Sequence, residues 1–544
     1  MKPINRIAQI MFACFALLVA VSNSYSAEEK KVAKSVEFET VVSMLTVGSL
    51  SERANVLEQL SNSDDPRVLP VFQNMLVSKL YYIKKTKTLG YILKTDDGYK
   101  VTSVLSNKVI GAFPKSKLKK VRVNNKLRRL LRNYIAHLRI KSSDDSIRKL
   151  AVKELLKNVD AETLVILKEL SNKEKNNSIK ELIATGISVW DLNSEDKSIQ
   201  INAIQVLSKS LIPEVKISLQ RIIEETDDLT IKKEAEISLK KIESKISMFG
   251  FLENLVFGLS LGSVLLLIAV GLAITFGVMG VINMAHGELM MLGAYTTYVV
   301  QQMLPEYITA SIFISIPLAF VVAGLFGVAI ERFVIRYLYG RPLETLLATF
   351  GISLILQQLV RSIFGPTNQA VETPAFMSGS FEINSIFAIT YNRLYIFVFA
   401  ILILFLLMFI LKKTRLGLQV RAVSQNRTMA KAMGVRTEWV DAMTFGLGSG
   451  IAGIAGVALS QLTNVGPNLG QGYIIDSFMV VVFGGVGNLL GTFVGAMSLG
   501  VFNKFLEPWA GAVLAKILVL IFIILFIQKR PRGLFPKKGR GVED

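Results

Sequence analysis

Within the apolar stretch GVMGVINMAHGELMM, residues 277–291, stand an imidazole and a carboxylate: His286, one of two histidines in the chain, and Glu288. Lipid makes an ionisable side chain costly, so such a residue in a membrane-type segment is a candidate functional group. Three uses compete: fastening or gating at a helix start, direct contact with a solute, and proton transfer. Asn283 is a helix N-cap type and sets Glu288 about a turn and a half into the following helix. The favoured reading is a helix start at the inner end of a span, just after a turn at Gly280, with His286 fixing two helices or lining an exit.

Other polar groups on apolar segments are Gln357 and Gln358 in LLATFGISLILQQLVRSIFG, Asn488 in GGVGNLLG, and Gln461 and Asn464. Gln357 and Gln358 point about 100° apart on a helix, so at most one of them faces a path. Lys516, in the last apolar run, is expected to snorkel outward. The spans contain no paired carboxylates and no metal-ligand spacing, and no G-x-x-x-x-G-K-[ST] run occurs, so the chain is not itself an ATP-hydrolysing subunit.

Positioning these groups falls to a set of apolar helices. From Leu252 onward, runs near or above the ~20 residues needed to cross a bilayer recur. The expected spans are 252–276, 284–303, 308–331, 343–363, 393–411 and 440–462, a glycine-broken region 474–505, and 510–528. Basic loops around Arg332, Arg336 and Arg341, at residues 412–431, and at the C-terminus are expected inside by the positive-inside rule. Counting crossings from those loops leaves the tail on the wrong side unless residues 474–505 reverse direction. A re-entrant helix that turns at Gly484, Gly485, Gly487 and Asn488 restores the parity, and two tight crossings are the alternative. In GLGSGIAGIAG, Gly448, Ala452 and Gly456 form a small-residue ridge for close helix packing.

The first half has the opposite solvent preference, rich in Lys, Glu, Ser and Asn with short apolar stripes. Residues 1–26 read as a secretory signal peptide, with a basic start, a short apolar core and small residues before Ala27. The only cysteine, Cys14, lies inside this leader. Residues 27–247 read as an exported domain of HEAT-like helical repeats, opened by Ser and Asp caps, with a small β-hairpin insertion around Asp96, Asp97 and Gly98. His137 lies alone on a helical stripe and is taken as a packing residue. Residues 248–535 form the transmembrane domain and 536–544 a cytoplasmic tail. The formal charge of +20 suggests nucleic acid at first sight, but an exported domain seldom meets any, and the loop share is an orientation signal. The fold class is thus all-α: a polytopic helical membrane domain behind an exported helical-repeat domain.

The loop TRLGLQVRAVSQNRTMAKAMGVRTEWVDAMTF is expected to carry a short helix over residues 424–434. Ala430 and Gly434, four apart, would share a face open to another protein, with Arg421, Arg427 and Lys431 around it. That spacing resembles the loop by which ABC importer permeases engage their ATPase. TRLGLQVRAV, INMAHGE, LLATFGISLILQQLVRSIFG and FGGVGNLLGTFVGA together resemble the branched-chain amino acid type of ABC permease over nearly all of residues 250–535. Met429 and Thr428 depart from the family's pattern in the loop, which limits carry-over to Ala430 and Gly434. The exported domain ahead of the permease resembles the urea branch of that family.

The resemblance implies a multi-pass subunit of an ATP-driven importer in a bacterial inner membrane. Its coupling loop would include Arg421, Ala422, Arg427, Ala430 and Gly434. Pore or gate candidates are Asn283, His286, Glu288, Gln357, Gln358, Gly484, Gly485, Gly487 and Asn488. The implied partners are two ABC ATPase subunits, a second homologous permease, an exported solute-binding protein and the lipid bilayer, but no nucleic acid. No cofactor or metal is expected in this chain, since ATP sits on the partners. Urea is the expected solute, with branched-chain amino acids or a short-chain amide as alternatives. A membrane-anchored receptor or scaffold is the reading from another class.

Overall fold

The computed structural model describes residues 38–535, apart from Gly48, Asp64, Asp96, Asp97, Asn158 and Ser385. The expected leader at 1–26 and tail at 536–544 lie outside the described residues. The chain divides into two compact units, Met1–Ile242 and Glu243–Asp544.

The first unit is built from helices that start on side-chain caps. Ser49 opens α1 (Leu50–Ser61) with a capping box, its hydroxyl accepting from Glu52 N–H while the Glu52 carboxylate accepts from Ser49 N–H. After α2 (Val68–Leu76) and a sheet come α3 (Asn125–Ile140), α4 (Asp145–Leu155), α5 (Ala161–Lys173), α6 (Asn177–Asp191) and α7 (Lys197–Leu207), capped by Asn124, Asp144, Asp160, Asn176 and Asp196. α8 (Pro213–Glu225) instead starts on a proline whose missing N–H costs nothing there. Leu57, Phe72, Leu80, Leu127 and Leu131 form one core, and Val152, Leu155, Leu167, Ile179 and Ile183 a second.

The insertion is larger than the expected hairpin. Strands β1 (Leu80–Ile83), β2 (Leu89–Thr95), β3 (Gly98–Ser103), β4 (Val109–Phe113) and β5 (Leu118–Lys120) form one antiparallel sheet in the order β4-β3-β2-β1-β5. β2 and β3 pair from Thr95 and Gly98 outward, as the hairpin reading requires. β4 and β5 escaped notice because they are the edges: β4 is largely exposed, and two of the three residues of β5 are exposed lysines, which blunt an edge against further pairing.

The second unit begins within α9 (Leu229–Met279) and continues through α10 (His286–Met303), α11 (Ile308–Phe333), α12 (Pro342–Phe364), α13 (Tyr391–Lys413), α14 (Arg415–Gln425), α15 (Arg427–Ala432), α16 (Thr437–Ser460), α17 (Gln471–Gly484) and α18 (Leu489–Lys529). Among the described residues six of these helices, α9, α11, α12, α13, α16 and α18, are long and apolar enough to cross a membrane. The protein is a multi-pass, mostly helical membrane protein.

α16 is its hub, buried along almost its whole length between α10 and α11. Glycine makes that possible: a Cβ on Gly293 would stand 2.0 Å from the Gly453 carbonyl oxygen, and one on Gly448 2.7 Å from that of Gly271. Backbones approach this closely only where both side chains are absent or small, which is how helices pack when lipid offers no hydrophobic drive between them.

The chain does reverse at residues 485–488, between the end of α17 and the start of α18. Gly485 and Gly487 take positive φ, and Asn488 caps α18 through the N–H groups of Leu490 and Gly491. The segment after α18 returns to this turn: Leu534 N–H donates to Phe483 O, Phe535 N–H to Gly484 O, and the Asn488 amide to Phe535 O. A groove beside it is lined by Lys412, Arg421 and Ser424 together with Gly487 and Asn488. The turn thus shares an end of the bundle with the basic loop and the start of the tail. α18 itself bends back at Gly511, where φ is 76°, three residues after Pro508.

Candidate functional site

α9 ends at Gly280, whose φ of 64° stops the helix. The segment that follows does not start the next span at that end. It climbs back beside α9, held by an Asn283 Oδ1 that accepts from Ala285 N–H at 3.0 Å and by Met284 N–H donating to Thr349 Oγ1 at 3.1 Å. α10 then begins at His286, whose Nε2 stands 3.0 Å from the Ile268 carbonyl oxygen. A carbonyl only accepts, so Nε2 carries the hydrogen and Nδ1 is a bare acceptor. Ile268 lies eleven residues before Met279, about 16 Å along the helix at ~1.5 Å per residue. His286 therefore sits about three turns back along α9 from its end, because residues 281–285 fold back beside α9 and turn at 284–285, where a span was expected to begin at 284.

A second helix starts at the same level. Gly470, which opens α17, packs against Gly287 so tightly that a Cβ on it would lie 2.4 Å from the Gly287 carbonyl carbon. Two helix N-termini, each with unpaired N–H groups and a positive dipole end, thus meet inside the unit. Beside them Glu288, 1 % exposed, accepts at Oε1 from Gln357 Nε2 at 2.8 Å and Ser353 Oγ at 3.2 Å. Ser353 and Gln357 are four apart on α12 and share a face. Glu288 Oε2, His286 Nδ1 and Asn283 Nδ2 are buried without a hydrogen-bond partner. In the next part of α17, Asp476 pairs at 3.1 Å with Lys516, whose half-exposed side chain thus reaches a carboxylate of its own chain.

The basic loop between α13 and α16 has its own geometry. The expected helix over 424–434 is two helices, α14 and α15, broken at Asn426, whose φ is −151° and whose side chain caps α15 through Met429 N–H at 2.9 Å. Ala430 is buried against Val420, Val423 and Val440, so it faces its own chain. Gly434, with φ 85°, lies past the helix end: its N–H bonds to Lys431 O and Val435 N–H to Ala430 O, the Schellman pattern that ends a helix. Ala430 and Gly434 therefore do not share an exposed face, because a left-handed residue cannot continue the helix. Arg421 donates to Leu411 O at 2.7 Å, Ala422 flanks the small core, and Arg427 binds Asp441 with both terminal nitrogens while lying 4.0 Å over the Tyr339 ring.

Residues 254–527 match the family described as branched-chain amino acid transport system / permease component. The chain belongs to this family. The high-affinity branched-chain amino acid transport system permease protein BraD of Pseudomonas aeruginosa is 31 % identical over 296 residues, 53 % of this chain and 96 % of its own length. The corresponding LivH of Salmonella typhimurium is 29 % identical over 297 residues, 52 % of this chain and 95 % of its own. The ribose import permease protein RbsC of Escherichia coli is 26 % identical over 133 residues, 22 % of this chain and 41 % of its own. No solved structure matches.

In this permease, Asn283, His286, Glu288 and Gln357 of the sequence-derived candidates come together around the start of α10. Gln358 is exposed on the other side of α12. Gln461 and Asn464 lie at and beyond the end of α16, where the Gln461 carbonyl accepts from Asn392. Gly484, Gly485, Gly487 and Asn488 belong to the turn beside the tail, not to the buried cluster. Ser353, Thr349, Asp441 and Asp476 were missed. Ser353 was findable as the residue one turn before Gln357, and Asp476 as a lone acid in an apolar helix.

Proposed function

We propose that this chain is the membrane-spanning subunit of an ATP-driven importer in a bacterial inner membrane. Supporting this is the meeting of two helix starts at Gly287 and Gly470 with Glu288, Ser353 and Gln357 buried beside them. Broken helices of this kind are how transporters bring polar backbone to membrane depth. The basic loops and tail face the cytoplasm, and the first unit, exported behind a leader at residues 1–26, is a HEAT-like array that receives a solute-binding protein. Two ATPase subunits, which hold the ATP, engage the loop from Arg421 to Gly434, and a second homologous permease completes the path.

The solute is urea. The groups that surround the Glu288 carboxyl, Asn283, His286, Ser353 and Gln357, offer hydrogen bonds of the kind a neutral amide uses, and the two-unit order resembles the urea branch of the family. Branched-chain amino acids, for which BraD and LivH are named, are the competing cargo. Uptake of labelled urea and labelled leucine by vesicles carrying the complete complex decides between them. ATP-dependent urea uptake is expected. Leucine uptake alone would overturn the solute, and uptake of neither would favour a receptor or scaffold.

A further inference from the structure

We infer that Arg427, Asp441 and Tyr339 form a stiff joint that makes α15 and α16 move as one body, so that force applied to α15 at the inner face is delivered to the buried helix starts. This rests on the importer reading above. α15 has six residues, too few to be stable alone, so the surrounding chain must hold it. Its connection to α14 is a single extended residue, Asn426, and Ala430 also packs against Val420 and Val423 of that helix. Its connection to α16 is of another kind. Asp441 is 3 % exposed and takes both terminal nitrogens of Arg427, and the guanidinium lies flat on Tyr339. Ala430 is packed against Val440, one residue before Asp441. Arg336, three residues before Tyr339, is ion-paired to Glu438 on the same helix.

Separating Arg427 from Asp441 would leave a carboxylate buried without its charge partner, which is costly, so the pair stays closed when α15 is pushed. Further along α16, Gly448 meets the backbone of Gly271 and Gly453 that of Gly293. Added side chains cannot fit there, and neither can a helix that slides without carrying its neighbours. Gly271 is also where His286 rests: a Cβ on it would stand 3.0 Å from His286 Cε1. The route therefore runs from α15 through the Arg427–Asp441 pair to α16, and from α16 to the start of α10. Arg427 acts as a positioning residue within its own chain; exposed side chains of this loop, among them Thr428, Met429, Lys431 and Met433, are left for a partner to touch.

The test uses the whole complex in vesicles and reads labelled urea or leucine taken up per ATP hydrolysed. Asp441→Asn is expected to lower that ratio at least tenfold, with ATP hydrolysis and co-purification of the ATPase within about twofold of the parent, and Arg427→Gln to lower the ratio by a similar factor. Asp441→Glu, which keeps the carboxylate, should restore the ratio to within about threefold, and the double variant should be no worse than either single one. Tyr339→Leu, which keeps the ion pair, should cost about threefold and serves if the charge variants do not fold. A parallel fall in uptake and hydrolysis, or an unchanged ratio, overturns the joint while the importer stands. Loss of the ATPase from Arg427→Gln alone would mean that Arg427 meets the partner directly. A parent complex with no ATP-dependent uptake removes the importer reading and the joint with it.

Discussion

The two units build helices by different means. In the first, six of the eight labelled helices begin on a side chain that accepts from a first-turn N–H, and their cores are Leu, Ile and Val stripes. In the second, α10, α11, α12, α13, α16 and α17 have no side-chain cap, while the short helices α14 and α15 and the long α18 do. Water competes for every helix end in the first unit, and an apolar stripe is enough to drive packing there. Lipid supplies no such drive, so the spans rely on backbone approach through glycine, and their turns satisfy themselves through the main chain.

The contrast is most easily broken at Gly293. Gly293→Val places atoms into the Gly453 backbone, and overpacking of ~3 kcal/mol or more is expected. Size-exclusion chromatography in detergent should show loss of the monodisperse species, whereas Gly250→Ala, with nothing within 4 Å, should leave it intact. Gln357→Leu removes the shorter of the two bonds to a buried carboxylate and should cost ~2 kcal/mol, read as a lower midpoint in thermal unfolding.

In the first unit the corresponding buried carboxylate is Glu174, and it is answered by a charge. Arg148 bonds both its oxygens, at 2.9 and 3.0 Å, and this hydrogen bonding holds its pKa down to about 2. A carboxyl depressed on folding contributes stability above its ordinary value of ~4.3 and loses it as pH falls toward 2. Hydrogen exchange on the full chain should show α4 and α6 protected less in Glu174→Gln than in the parent at pH 7. That difference should shrink through the interval from pH 4 to 2. The smallest effect is expected at a cap: Asp160→Ala, which loses the bond to Thr163 N–H, should lower protection of α5 by ~1 kcal/mol and leave the second unit unchanged.

Much of this organisation was legible along the chain. Caps announce themselves locally, which is why Ser49, Asp144 and Asp196 mark helix starts that were readable from residue type. Long apolar runs did the same for the spans, and the family was readable in four ordered motifs. Depth was not legible. A linker such as 281–285 has no periodic pattern, so whether it stays at the helix end or climbs beside α9 depends on Ile268, Thr349 and Gly271, all distant in sequence. Ala430 failed for a related reason: small size suits a docking face and a packed core equally, and only Val420, Val423 and Val440 decide between them.

The sequence by itself determined the two solvent preferences, the apolar helices, the reversal at residues 484–488 and the membership of a permease family. These follow from composition, period and turn residues, which act within a few positions of one another. Only the tertiary structure decided that His286 begins a helix beside Ile268, that Gln357 and not Gln358 faces Glu288, that Lys516 turns to Asp476, and that Arg427 is bound within its own chain. Each depends on which distant backbone comes within 3 Å, and that is set by packing many helices at once.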